Sequence, residues 1–391
     1  MALNRRAFLS TLGATGAAAV LEQWVDAQPL LPPRGGRLVR TMPLGRLDGR
    51  PKPPTGVLLG EGLDARLFTD LSALDVDRLV TPTSQFYVRT AHPPLLPPAS
   101  EWRISLGGLV DKTGVLDRPT IEREAKDVGL RLMECAGNSD PANFGLLSAA
   151  RWTGADLLAL LDRVRPLANA TRIKVVGIDD EQQASVTSNP GASWIFTREE
   201  LERAGAFLAV GMNGAPLTLD HGAPVRLVVP NYYGCCCIKW VSSIDWVADD
   251  EPATLQMMEF SARTHQAGVP RLARDYTPPA IEVAATPVRV EQWAMGQGAG
   301  GRMLYRVVGI RWGGRRAEVP LTISFRGPDA FVPVSNNPPS PDPATWSLWS
   351  HEWTPDAPGR YQIALAVADR ALPARRLDRA YYTRTVEIDR V

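Results

Sequence analysis

Proline and glycine set the first limit on what this chain can become, because 34 prolines and 33 glycines are scattered through its 391 residues. Proline removes a backbone donor and clashes with the preceding helical turn, and glycine loses the most conformational entropy inside a regular element. A chain punctuated in this way is expected to turn often and to build little long helix. With 45% hydrophobic and 22% charged residues it can still bury two cores rather than one. The formal net charge is +1, and removing residues 1–27, which hold Arg5, Arg6, Glu22 and Asp26, leaves it unchanged. That balance provides no basic field for nucleic acid.

The N-terminus has a separate logic. Asn4-Arg5-Arg6-Ala7-Phe8-Leu9 precedes a mildly apolar run from Ala7 to Val20, rich in Ala, Gly and Thr. As a helix this run would span only about 21 Å, against an apolar bilayer core of roughly 30 Å. It therefore reads as a twin-arginine export signal rather than an anchor, with a small-residue cleavage site at Val25-Asp26-Ala27 and a mature chain starting near Gln28. That route carries proteins already folded, which suits a cofactor inserted in the cytoplasm, and it predicts a periplasmic destination. Residues 28–80, Pro-, Gly- and Arg-rich at the start, are expected to form an extended arm on a folded body.

Four cysteines in an exported protein invite disulfides, yet Cys235, Cys236 and Cys237 are consecutive and neighbours bridge only with strain. Alternating faces on a strand also prevent them from converging on one ion, so they read as small side chains packed under a cofactor. Histidines occur only at 92, 221, 265 and 351, a poor supply for a multi-histidine metal site. Cys135 stands apart, in Arg131-Leu-Met-Glu-Cys-Ala-Gly-Asn-Ser139. Its thiolate could hold a soft metal, Ala136 and Gly137 would let a bulky group approach the backbone, and Asn138 could tie down the turn.

Pattern along the chain predicts strands at Phe86–Arg89, Trp102–Leu106 and Leu130–Glu134, the last delivering Cys135 into a loop. Helices are expected over Thr120–Val128, opened by a Thr cap, from Thr153 to Leu161, and over Glu199–Ala204. Asn213-Gly214 marks a hairpin, and Arg226 and Lys239 sit beside buried strands ending at Val247. Gly296-x-Gly298-x-x-Gly301 matches a dinucleotide fingerprint only in form, because Met303–Ile310 alternates like a strand, so it reads as a hairpin loop. From about Pro278 the character becomes all β, with candidates at Ile281–Val283, Val288–Val290, Leu304–Val308, Leu321–Phe325, Trp349–Trp353 and Tyr361–Val367. The fold class is therefore α+β, followed by an immunoglobulin-like sandwich in which at least two of Trp346, Trp349 and Trp353 are core.

Six blocks in order carry a family resemblance. Phe86-Tyr-Val-Arg89, Glu134-Cys-Ala-Gly-Asn138, Trp152-Thr-Gly, Met212-Asn-Gly-Ala-Pro-Leu217, Asp220-His-Gly-Ala-Pro-Val-Arg226 and Ile238-Lys-Trp240 resemble the sulfite oxidase family of molybdenum and molybdopterin oxidoreductases. The resemblance implies a molybdopterin-binding catalytic domain over 81–275 and a sandwich of the dimerisation type over 276–391. It implies that Cys135 is the protein ligand to molybdenum. It further implies that Arg89, His221, Arg226 and Lys239, with the backbone of Cys237 and Ile238, hold the pterin and its phosphate. Fixed arginine forks and a lysine point charge suit that anion.

Two departures bear on substrate. Sulfite-oxidising members carry arginines just after the cysteine block, whereas this chain has Ser139-Asp140-Pro141, so a substrate other than sulfite is expected. The family's tyrosine near the metal is not evident in Glu259-Phe-Ser-Ala-Arg-Thr-His265, where Thr264 or His265 could donate a proton instead. Cys135, Asp140 and His265 are thus the candidate catalytic residues. The implied reaction is a two-electron oxo transfer on a small, sulfur-containing molecule, with a periplasmic cytochrome c or quinone-linked partner handling electrons, since the chain has no haem or flavin signature. Two other readings remain open: a sulfoxide-type reductase, and an exported binding protein that has lost its metal.

Overall fold

A computed structural model describes residues 30–44, 54–139, 144–179, 183–296, 302–327 and 330–391. The export signal, the cleavage site and Asp140 lie outside the described residues, as do Gly298 and Gly301. No described helix is long and apolar enough to cross a membrane.

Strands organise the molecule, and none of the described α-helices exceeds seven residues. The expected α+β mixture is therefore corrected to a mostly β architecture, as the density of proline and glycine would have it. One five-stranded sheet runs in the order Ala215–Pro216, Phe207–Met212, Leu147–Asp156, Lys126–Glu134, with Arg226–Val228 pairing on Phe207–Met212. A second places Gly114–Asp117, Arg103–Gly108, Val241–Val247, Arg172–Gly177 and Ser193–Thr197 side by side. Two four-stranded sheets follow. One comprises Gly36–Pro43, Ala284–Met295, Arg302–Trp312 and Ser347–Trp353; the other comprises Val332–Pro333, Leu321–Ser324, Gly359–Val367 and Arg384–Ile388. The arm thus becomes an edge strand, with Gly36–Pro43 antiparallel to Ala284–Met295.

Local boundaries differ from the sequence expectations for identifiable reasons. The helix placed at Thr120–Val128 is Arg118–Glu124, and its cap is Asp117, whose carboxylate accepts from the Thr120 N–H at 2.9 Å. Chain beyond it is drawn into the strand Lys126–Glu134, where Leu132 and Met133 pack into the core. The helix expected from Thr153 is a strand as far as Asp156, because Trp152 and Thr153 pair on both sides, with Phe207–Met212 and with Lys126–Glu134. Only Leu157–Leu161 is helical, capped by Asp156. Tertiary pairing overrode helix propensity there. Of Phe86–Arg89 only Val88–Arg89 is a strand, and Ile281–Val283 precedes rather than forms one. The helix at Arg198–Ala204 has the full capping box of Thr197 and Glu200 and a left-handed Gly205 beyond it.

Trp346 and Trp349 are fully buried, and the Trp346 indole donates to the Leu79 carbonyl at 2.8 Å, joining the C-terminal part of the chain to the segment just before Phe86. Trp353 is half-buried and stacks on Phe325 at 4.1 Å.

Candidate active site

Cys135 lies one residue beyond the strand Lys126–Glu134, in a turn closed by the Asn138 N–H donating to the Cys135 carbonyl at 2.9 Å. The thiol accepts from the Gly137 N–H at 3.3 Å. Asn138 ties the turn from both ends: its amide donates to Glu134 at 3.1 Å, and its carbonyl oxygen accepts from the Leu146 N–H at 3.1 Å. Burial pushes the Cys135 thiol pKa up, while the Arg89 charge and the Gly137 N–H pull it back. Metal binding requires the thiolate, so those two groups favour the competent form.

One cavity opens over this thiol, walled by Tyr87, Arg89, Cys135, His221, Arg226, Cys235, Cys237, Ile238 and Lys239. Its cations are unusual. Arg226 is buried and donates only to carbonyls, His221 at 3.1 Å and Cys237 at 3.0 Å, and its Nε has no partner among the described residues. Lys239 donates to the carbonyls of Thr90 at 2.6 Å and Asp220 at 2.9 Å and lies 4.3 Å from the centre of the Trp240 ring. Desolvation, reinforced by the Arg226 charge, pushes the Lys239 pKa well below its ordinary value. Neither cation makes an ion pair with a carboxylate among the described residues. Buried cations held only by neutral carbonyls are costly until an anion reaches them. An anionic, phosphate-bearing cofactor whose sulfur-rich end meets Cys135 fits this donor set.

The remaining residues expected at this site are also on its wall, in differing roles. Arg89 donates to the carbonyls of Leu63 at 2.9 Å and Thr187 at 3.4 Å and bonds the Ser188 hydroxyl. His221 uses both ring nitrogens inside the protein: Nε2 donates to the Phe86 carbonyl at 3.1 Å, and Nδ1 accepts from the Thr218 hydroxyl at 2.7 Å. Burial holds its pKa down at about 4, so the ring is neutral at pH 7. The Cys237 carbonyl serves Arg226 and the Ile238 carbonyl serves Leu227. All four cysteines are buried and free, and the Cys237 thiol is pushed up to about 11 by burial.

On the other side of the Cys135 turn lies a second cavity of about 720 Å³, within the span of roughly 300–1,000 Å³ common for small-molecule sites. Ala136 to Ser139 form one wall, and Arg66, Arg89, Arg263, Arg375, Arg376 and Arg379 surround them. Arg89 borders both cavities. Sequence reading assembled none of this cluster beyond Arg89, since its members come from distant segments. His265 is on the same wall, half-buried, with a left-handed backbone. Its Nε2 stands 3.5 Å from Glu282 Oε2, and neither atom has a hydrogen-bond partner among the described residues. Burial lowers the His265 pKa and Glu282 opposes that shift. Tyr233 is buried, its ring centre 6.4 Å from that of His265.

Comparison with known proteins agrees with this geometry. Residues 91–255 match the oxidoreductase molybdopterin binding domain. The chain is 27% identical to sulfite oxidase of Gallus gallus over 70% of this chain and 63% of that protein. It is 30% identical to the NADPH nitrate reductase of Aspergillus niger over 47% of this chain and 22% of that protein. Sulfite oxidase of Arabidopsis thaliana is 26% identical, over 47% of this chain and 52% of that protein. The chain thus spans less than two thirds of the length of these relatives. The sulfane dehydrogenase SoxCD of Paracoccus pantotrophus shares the fold, with a TM-score of 0.60 at 16% identity over 95% of this chain and 85% of that one. Residues 91–255 thus carry a molybdopterin-binding oxidoreductase domain, the chain is similar in sequence to sulfite oxidases and nitrate reductases, and the cofactor such a domain implies is molybdenum held by molybdopterin.

Proposed function

We propose that the chain is a periplasmic enzyme, exported by the twin-arginine route, that oxidises a small sulfur oxyanion by two-electron oxo transfer. The single observation that carries the substrate class is the arginine-lined cavity against the Cys135 turn. Arg375 and Arg376 pair with Glu282 and Glu134, while the guanidinium groups of Arg66, Arg89, Arg263 and Arg379 make no ion pair with a carboxylate among the described residues, so they attract and orient an anion and replace the charge expected directly after the cysteine block. Sulfite returns as a candidate on that ground. A neutral sulfoxide gains nothing from such a field, which places the reductase second.

When bound, the cofactor supplies a metal that exchanges an oxo group and two electrons with the substrate. Cys135 would ligate that metal, and Arg226 and Lys239 would bind the anionic end of the pterin. Arg89, shared by both cavities, would sit between cofactor and substrate. Oxidation of sulfite to sulfate takes up one water and releases two protons and two electrons. His265, neutral at pH 7 with a free Nε2, is placed to accept a proton beside Glu282. The electrons leave to a separate carrier, a cytochrome c or quinone-linked protein. In this reading the two C-terminal sheets are an immunoglobulin-like sandwich that pairs two copies; sedimentation analysis should give twice the mass of one chain, and a monomer would overturn the pairing.

The decisive experiment compares dye-coupled oxidation of sulfite and thiosulfate with dye-coupled reduction of methionine sulfoxide, using molybdenum-loaded protein. Oxidation lost in Cys135→Ser supports the proposal. Turnover of sulfoxide alone would favour the reductase, and a correctly folded chain that takes up no molybdenum would favour a binding protein. Arg5→Lys with Arg6→Lys should retain the chain in the cytoplasm, and normal export of that variant would sink the periplasmic assignment.

A further inference from the structure

Glu134 is fully buried at the end of the strand that delivers Cys135. An isolated carboxylate in that position would be prohibitively costly, so its partners define its purpose. Oε1 accepts from Asn138 Nδ2 at 3.1 Å, from Tyr382 Oη at 3.1 Å and from Arg376 Nη1. Oε2 accepts from Trp312 Nε1 at 2.9 Å. Three of these four donors belong to the C-terminal part of the chain.

The same C-terminal segment grips the turn at two further atoms. Arg376 Nη2 donates to the Ala136 carbonyl at 3.3 Å, and Tyr381 Oη donates to the Asn138 carbonyl at 3.1 Å. Arg376 is itself held over the rings of Tyr233 at 5.3 Å and Tyr381 at 5.8 Å. Residues 134, 136 and 138 are therefore fixed from outside by residues 312, 376, 381 and 382, with Cys135 among them. A carboxylate suits this place better than an amide. All four partners are donors, and a glutamine would turn its NH₂ toward at least one of them.

We propose that Glu134 is a positioning residue, through which Trp312 and the segment Arg376–Tyr382 of the C-terminal half set the direction of the Cys135 sulfur toward the metal. The proposal rests on Cys135 being the ligand. It assigns the C-terminal half a part in tuning the metal centre. Partners one shell out from a ligand are worth on the order of 10–100-fold in metal affinity or activity.

Glu134→Gln, Trp312→Phe and Tyr382→Phe, each loaded with molybdenum and poised at the Mo(V) state, test this by electron paramagnetic resonance. The expected result for Glu134→Gln is altered g-values and a kcat reduced roughly 10–100-fold with KM little changed. Smaller spectral shifts in the same sense are expected for the two single-donor variants. A spectrum identical to the parent's in folded Glu134→Gln overturns the proposal. If Glu134→Gln takes up no molybdenum, alkylation of Cys135 in the cofactor-free chain decides, read by peptide mass mapping: several-fold faster than in the parent supports it, and an equal rate overturns it. If that variant does not fold, parent-like spectra in both Trp312→Phe and Tyr382→Phe overturn it. Cys135→Ser separates the two ideas, since a parent-like spectrum there removes the ligand assignment itself.

Discussion

Gly234 lies directly against Cys135: a Cβ at position 234 would stand 2.5 Å from Tyr87 Oη, 3.3 Å from the Glu134 carbonyl and 3.7 Å from Cys135 Cα. The segment carrying the three consecutive cysteines therefore reaches the Cys135 turn through its one residue without a side chain. Gly234→Ala should push Tyr87 or the turn aside, costing about 1–3 kcal/mol of stability as overpacking does. Denaturant unfolding of the cofactor-free protein measures this directly, and an unchanged midpoint would contradict the close approach.

His221 makes stability depend on pH with a defined sign. Its pKa is about 4 in the folded chain against 6.5 ordinarily, so the unfolded chain takes up the proton first as pH falls. The contribution is fully present above pH 6.5 and is lost progressively down to about pH 4, reaching on the order of 3 kcal/mol. Comparing unfolding of cofactor-free parent and His221→Gln at pH 7.5 and pH 4.5 isolates it. Parallel losses in both proteins would show that another group carries the effect.

Arg226 should not tolerate lysine. Its two terminal nitrogens reach separate carbonyls, of His221 and Cys237, and an ammonium cannot reproduce that fork. A lost bond to a charged group is worth about 1.5–3 kcal/mol, so retention of the cofactor should fall on the order of tenfold. Molybdenum per chain after gel filtration gives the answer.

Arg263 and Arg379 are exposed at the second cavity. Replacing either with alanine should raise KM for an anionic substrate several-fold and leave kcat nearly unchanged, because an exposed charge recruits rather than reacts. Salt should mask the effect, since charges in water are screened beyond about 10 Å at 0.1 M ionic strength. Steady-state kinetics at two ionic strengths checks both parts.

Much of the Cys135 turn was legible locally. A strand of alternating residues ending at Glu134, small residues at 136 and 137, and an asparagine able to bond both ends of a turn are all short-range features. Asn213-Gly214 as a hairpin and the helix ending at Ala204 were readable for the same reason. The leucines from Leu157 do form a helix, and only Thr153–Asp156 misled, because the strands on either side demand an extended chain there. Periodicity reports what a segment prefers alone, and sheet pairing supplies energy it cannot contain.

By itself, the amino-acid sequence determined the shortness of the helices in this protein and the closure of the turn that carries Cys135. Both follow from interactions within a few positions of each other. Only the tertiary structure decided the electrostatic character of the second cavity and the support of Cys135. Arginines at 66, 89, 263, 375, 376 and 379 meet around one opening, and Glu134 meets Trp312, Arg376 and Tyr382, only after the sheets have packed. Charges scattered along an extended chain are separated and screened by water. Brought together beside a buried wall, they act as a single field and as a single clamp.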